Sequence, residues 1–170
     1  DLYLQKILEQ VNSSGSITDH QAETLSYFKG DHLNLSGLIQ ISDKQAKLLS
    51  VYIQARIRPS VDLSRLNSIT DMQAEILSKT GAIYLNSITS ITDQQAESLG
   101  KISKLHLNGL TNISDRQAEC LSDVHLLELN SLALISETQL KSLISVRNLH
   151  LGGLNTITDE QAKALGQRVR

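Results

Sequence analysis

One phrase recurs along this chain and narrows its folding options more than any other feature. An Ile-(Ser/Thr)-acidic-x-Gln sequence begins at Ile17, Ile41, Ile69, Ile91, Ile113, Ile135 and Ile157. Successive starts lie 24, 28, 22, 22, 22 and 22 residues apart. Self-similarity at such a period marks an array whose units each form one supersecondary element and bury their apolar faces only against neighbours. A single repeat domain over residues 1–170 is therefore expected, with about seven units over 17–170 and a helical cap or partial repeat over 1–16.

Each unit changes periodicity halfway. Leu105, His106, Leu107 and Asn108 alternate apolar and polar, as a half-buried strand does. The same apolar slots hold Leu33 and Leu35, Val61 and Leu63, Ile83 and Leu85, Leu127 and Leu129, and Leu149 and Leu151. After the recurrent Ile the spacing becomes helical, with Ala118 and Leu121 three residues apart, as are Ala22 and Leu25. Ser114 and Gln117 form an S/T-x-x-Q capping box, and every copy has its equivalent: Thr18/Gln21, Ser42/Gln45, Thr70/Gln73, Thr92/Gln95, Ser136/Gln139 and Thr158/Gln161. The acidic residue falls at the first helical position, where it suits the helix dipole; in an alternative register it is itself the cap. Stacked units of this kind curve, with closely spaced strands inside and bulkier helices outside.

Two stretches depart from the repeat. Leu4, Ile7, Leu8 and Val11 lie at helical spacing, and Asn12 to Gly15 are expected to break that helix. About six extra residues fall in Val51–Ser60, around the only proline, Pro59, and are expected to emerge as a loop on one face. The chain opens on Asp1 and stops at Arg170 within or just after the seventh helix, so it is expected to be a fragment of a longer chain.

The order I-x-x-L-x-L-x-x-L-x-x-I-S-D at Ile102–Asp115 resembles leucine-rich repeats, most closely their cysteine-containing subfamily, and the likeness covers nearly the whole chain. The Cys/Asn slot of that family holds Leu38, Leu66, Ile88, Leu110, Leu132 and Leu154 here, so its side-chain ladder is expected to be missing. The 22-residue unit is also shorter than that subfamily's. The resemblance implies an α/β, right-handed leucine-rich-repeat solenoid, with parallel strands on the concave face and helices on the convex face. It further implies a protein–protein interaction module that binds a partner on the concave strand face. No F-box-like segment accompanies the repeats, so a ubiquitin-ligase adaptor role does not follow.

Residues between the buried leucines should face the concavity. Their central column runs Asn34, Asp62, Tyr84, His106, Glu128, His150, and the column two residues earlier runs His32, Ser60, Ala82, Lys104, Leu126, Asn148. Asp62, Tyr84, His106, Leu126, Glu128 and His150 are the candidate partner-binding residues, an aromatic and apolar centre with a polar rim of the kind interface hot spots favour. The column two residues later, Ser36, Ser64, Asn86, Asn108, Asn130 and Gly152, is uniform and suits stacking. A structural or display spacer, or the targeting domain of a larger enzyme, is the alternative.

Other functions find little support. Sixteen basic and 18 acidic side chains give a net charge of −2, so neither nucleic acid nor an anionic membrane is expected as the main partner. No apolar run approaches the roughly 18–20 residues that cross a bilayer. One cysteine, Cys120, precludes an intramolecular disulfide and a cysteine-based zinc site. The acidic column is explained by helix starts, and calcium needs six to eight converging oxygens. His106 and His150 stand two units apart, roughly 10 Å by strand spacing, too far for one metal. No metal or cofactor is expected. The hydrolase, zincin, P-loop and dinucleotide motifs are all missing, and the chain is not expected to be an enzyme.

Overall fold

The alternation of strand and helix is present in the computed structural model, which describes residues 2–166; Asp1 and residues 167–170, the ends of the expected span, lie outside the described residues. Helices α1 (Leu2–Ser14) and α2 (Asp19–Leu25) come first. Then follow β1 (His32–Asn34), α3 (Asp43–Gln54), β2 (Ser60–Asp62), α4 (Asp71–Leu77), β3 (Ala82–Tyr84) and α5 (Asp93–Leu99). The chain continues through β4 (Lys104–His106), α6 (Asp115–Cys120), β5 (Leu126–Glu128), α7 (Glu137–Leu143), β6 (Asn148–His150) and α8 (Asp159–Gly166). The six strands form one open parallel sheet in chain order. Its register sets Leu33, Val61, Ile83, Leu105, Leu127 and Leu149 side by side. The architecture is α/β and repetitive.

Three-residue strands and seven-residue helices do not persist alone; columns of apolar side chains hold them. Leu33, Val61, Ile83, Leu105 and Leu127 are buried, as are Leu35, Leu63, Leu85, Leu107 and Leu129, which form a second column just past the strands. Ala22, Ala46, Ala74, Ala96 and Ala118 are buried on the helix side, where the missing side-chain bulk permits close approach. Leu140 takes that place in α7 and is also buried. In the last unit Leu149, Leu151 and Leu154 are only half-buried and Ala162 is exposed, because no later unit among the described residues covers them.

Every expected capping box is formed. In each, the Gln backbone N–H donates to the Ser or Thr hydroxyl at 3.0–3.2 Å. The Gln Oε1 accepts from the cap N–H at 2.9–3.1 Å. The phrase also does something its local chemistry did not disclose. From the second unit on, the Gln Nε2 donates to the carbonyl of the recurrent Ile one unit earlier, at 2.7–3.0 Å. The cap hydroxyls of Thr70, Thr92, Ser114 and Ser136 donate to Asp43, Asp71, Asp93 and Asp115 at 2.7–3.3 Å. A side-chain ladder thus runs through the Gln column, and not through the slot occupied by Leu38 to Leu154.

The irregular stretches differ in detail from expectation. α1 continues past Asn12 and stops at Gly15, whose φ of 71° lies in the left-handed region open to glycine. Asn12 remains helical because its amide is used: Nδ2 donates to the Asn34 carbonyl at 3.0 Å and Oδ1 accepts from Gly37 N–H at 2.8 Å. With Ile7, Leu8 and Val11 buried beneath it, α1 covers the first edge of the stack. The extra residues of the 51–60 segment form only in part a loop. They first lengthen α3 to 12 residues, burying Tyr52 and Ile53, and then turn through 55–59.

Candidate binding face

In each strand of the first five units the middle residue is buried while its two flanking residues face away from the core, so the sheet has one open face. Parallel register sets Asn34, Asp62, Tyr84, His106, Glu128 and His150 in one row across it, and His32, Ser60, Ala82, Lys104, Leu126 and Asn148 in the next. Side chains of one row on adjacent strands are close enough to interact.

Three of the six expected site residues touch. The Tyr84 and His106 rings stack with centroids 4.1 Å apart and planes 15° from parallel. On its far side His106 donates from Nδ1 to Glu128 Oε2 at 2.9 Å. Asn108 Nδ2 donates to the same oxygen at 2.9 Å. Mutual packing leaves the His106 side chain 12% exposed and that of Glu128 21% exposed. Burial pushes the Glu128 carboxyl up, but the bonds from Asn108 and His106 and the nearby imidazoles of His106 and His150 outweigh it, and its pKa lies below the usual value.

The other three lie near this cluster without a hydrogen bond or ring contact to it among the described residues. Asp62 is opposite Tyr84 in register, yet its Oδ1 accepts from the Ser64 N–H and hydroxyl at 2.9 and 2.6 Å. His150 is opposite Glu128 and exposed. Leu126 is half-buried between Lys104 and Asn148 in the second row.

Two contributors had not been singled out. His32 meets Tyr84 edge-on at 6.3 Å and 90°, and its Nδ1 lies 3.0 Å from Ser60 Oγ. Asn108 belongs to a ladder beside the row: its Nδ2 donates to Asn86 Oδ1 at 3.0 Å and its Oδ1 accepts from Asn130 N–H at 3.2 Å. Gly152 N–H continues the ladder to Asn130 Oδ1 at 2.9 Å. The run of asparagines was legible in the sequence as a stacking column; its bond to Glu128 was not, because it joins two columns.

The face offers stacked rings, a carboxylate held in its charged form and the Tyr84 hydroxyl, which has no hydrogen-bond partner among the described residues. Among those residues no three His, Cys, Asp or Glu side chains converge as a metal site, and no helix is long and apolar enough to cross a membrane. Cys120 is free and half-buried. No protein-family model matches this chain, and no curated protein sequence does either.

Proposed function

We propose that this chain is a protein-recognition module of leucine-rich-repeat type, with the open sheet face as the concave side of a right-handed solenoid. Parallel strands in chain order joined by helical crossovers favour that hand, which such connections take in about 98% of cases. The observation that carries the functional reading is the row Tyr84–His106–Glu128: two stacked rings ending on a charged carboxylate, fixed in place before any partner arrives. Preorganised aromatic and charged groups of this kind lose little conformational entropy on binding. Leu126 adds apolar area beside them, and Asp62 and His150 form the polar margin. The partner in this reading is another protein, and the module supplies recognition without catalysis.

The reading is tested by affinity capture with wild type and a variant carrying Tyr84→Ala, His106→Ala, Leu126→Ser and Glu128→Ala, with folding checked by circular dichroism. A protein retained by wild type and lost by the folded variant supports it. Equal retention moves the interface elsewhere on the fold, and a chain that retains nothing is better described as a spacer.

A further inference from the structure

Charge is segregated between the two edges of the sheet. The strand-to-helix connections, residues 35–42, 63–70, 85–92, 107–114, 129–136 and 151–158, hold one charged side chain, Arg65. Each runs into an acid at the first helical position, Asp43, Asp71, Asp93, Asp115, Glu137 or Asp159. The helix-to-strand connections instead carry Lys29, Arg56, Arg58, Lys79, Lys101 and Arg147 against Asp31 and Asp123. The net charge of −2 averages over this polarity. Helix dipoles favour each sign where it stands, so the polarity alone specifies no ligand.

The 55–59 loop adds a second, independent feature on the basic edge. It presents Ile57, 97% exposed, between Arg56 and Arg58. The loop is held firmly in this shape. Arg56 donates from Nη2 to the Phe28 carbonyl and from Nε to the Gly30 carbonyl, and its guanidinium lies 5.5 Å from the Tyr52 ring centre. Pro59 is buried, and its carbonyl accepts from Gly81 N–H at 2.8 Å. Arg58 takes a φ of 55°, a left-handed conformation uncommon outside glycine. A side chain on Gly81 would collide with Arg58, so the two backbones are in close contact. Next to this loop the 27–30 connection carries exposed Lys29 and Tyr27, the latter 69% exposed.

We propose that this corner docks on an anionic lipid surface, with Ile57 entering the boundary between headgroups and acyl chains and Tyr27, Lys29 and Arg58 at headgroup level. A firm tip that displays an aliphatic side chain beside Arg56, Arg58 and Lys29, with exposed Asp31 the one acid of the two connections, keeps a net positive charge and fits a phase that is negative at its surface and apolar just beneath. Tyrosine is suited to the headgroup layer. A protein partner would need an acid-rimmed pocket to receive the same tip. The association is peripheral and independent of the open sheet face, so the two sites fail or succeed separately.

The test is co-sedimentation of the full chain with vesicles of phosphatidylcholine alone and with vesicles containing roughly 30% phosphatidylserine. Wild type should sediment only with the anionic vesicles and be released at high salt. Ile57→Asp and the double variant Lys29→Glu/Arg58→Glu should each weaken binding by about tenfold or more. Leu134→Asp, at an exposed site on the acidic edge, should leave it unchanged. Thermal melts confirm that each variant is folded. Absence of phosphatidylserine-dependent sedimentation by wild type, or equal sedimentation of Ile57→Asp, overturns the proposal. Binding to a glutamate–tyrosine copolymer without binding to vesicles also overturns it, in favour of an acidic protein partner.

Discussion

Gln95 donates from its buried side-chain amide to the carbonyl oxygen of Ile69, 26 residues earlier, at 2.9 Å. The same amide's Oε1 accepts from Thr92 N–H at 3.0 Å, so one side chain closes a helix start and ties its unit to the one before. At Gln95 one side chain therefore serves both a helix cap and a repeat interface, and its removal takes a bond from each.

This coupling sets Gln95 apart from Gln21. Gln21 closes the box of the first unit, with no earlier Ile-(Ser/Thr)-acidic-x-Gln unit to reach. Gln21→Ala should cost about 1 kcal/mol, the usual value of a cap. Gln95→Ala also leaves the buried Ile69 carbonyl without its donor and should cost about 2–4 kcal/mol. Urea denaturation of the two variants measures the difference; equal losses would mean that the bond between units contributes nothing net.

Glu128 links stability to pH. Its folded pKa lies below the ordinary 4.5, so the folded chain holds its charged form more tightly than the unfolded chain does. The resulting stabilisation is complete above the unfolded value and disappears as pH falls through the lowered folded value. Solvent contact keeps it below about 1 kcal/mol. Melting temperature recorded from neutral pH into the acid range should fall less steeply below pH 4.5 for Glu128→Gln than for wild type. A carbon-detected titration should place the Glu128 midpoint under 4.5.

The ring stack makes a separate prediction. Tyr84→Ala removes the face contact with His106 and the edge contact with His32 and should destabilise the fold by about 1 kcal/mol. Tyr84→Phe keeps both contacts and should stay within about 0.5 kcal/mol of wild type, since the hydroxyl it deletes has no protein partner among the described residues. If the Phe variant retains stability but captures less partner, the hydroxyl is a contact in the complex.

Gly37 tests the attachment of the first helix. A Cβ there would lie 2.0 Å from the Asn12 carbonyl oxygen, a backbone atom that cannot turn aside. Gly37→Ala should cost about 1–3 kcal/mol by forcing α1 off the sheet edge. Hydrogen exchange should then show faster exchange of the α1 amides than of those in α5. Uniform loss of protection across both helices would mean that α1 and the repeats unfold as one.

The repeat itself, the seven helix starts and the buried leucine columns could be read from the chain because each depends on neighbours within a few residues. Thr92 and Gln95 are three apart, and any helix that begins there brings them together. The open face was legible as columns for the same reason: alternation along a strand assigns His106 and Asn108 to one side whatever the strand packs against. The end of α1 was not, because Asn12 reads locally as a breaker, and only the distant backbone at Asn34 and Gly37 keeps it helical. The 51–60 segment likewise reads as an insertion, but its division into extra helix and raised loop depends on Tyr52 and Arg56 finding the carbonyls of Phe28 and Gly30.

Local chemistry thus determined which residues form strands, which start helices and which face the core, since periodicity and capping act over a few positions. Tertiary structure alone decided the pairings: that Gln95 reaches Ile69, that Tyr84 lies on His106, and that Glu128 answers both His106 and Asn108. Such contacts join residues about 20 or more positions apart. Their geometry follows from how closely one unit settles on the next, a spacing set by the packed leucine and alanine columns and by the parallel register of the sheet.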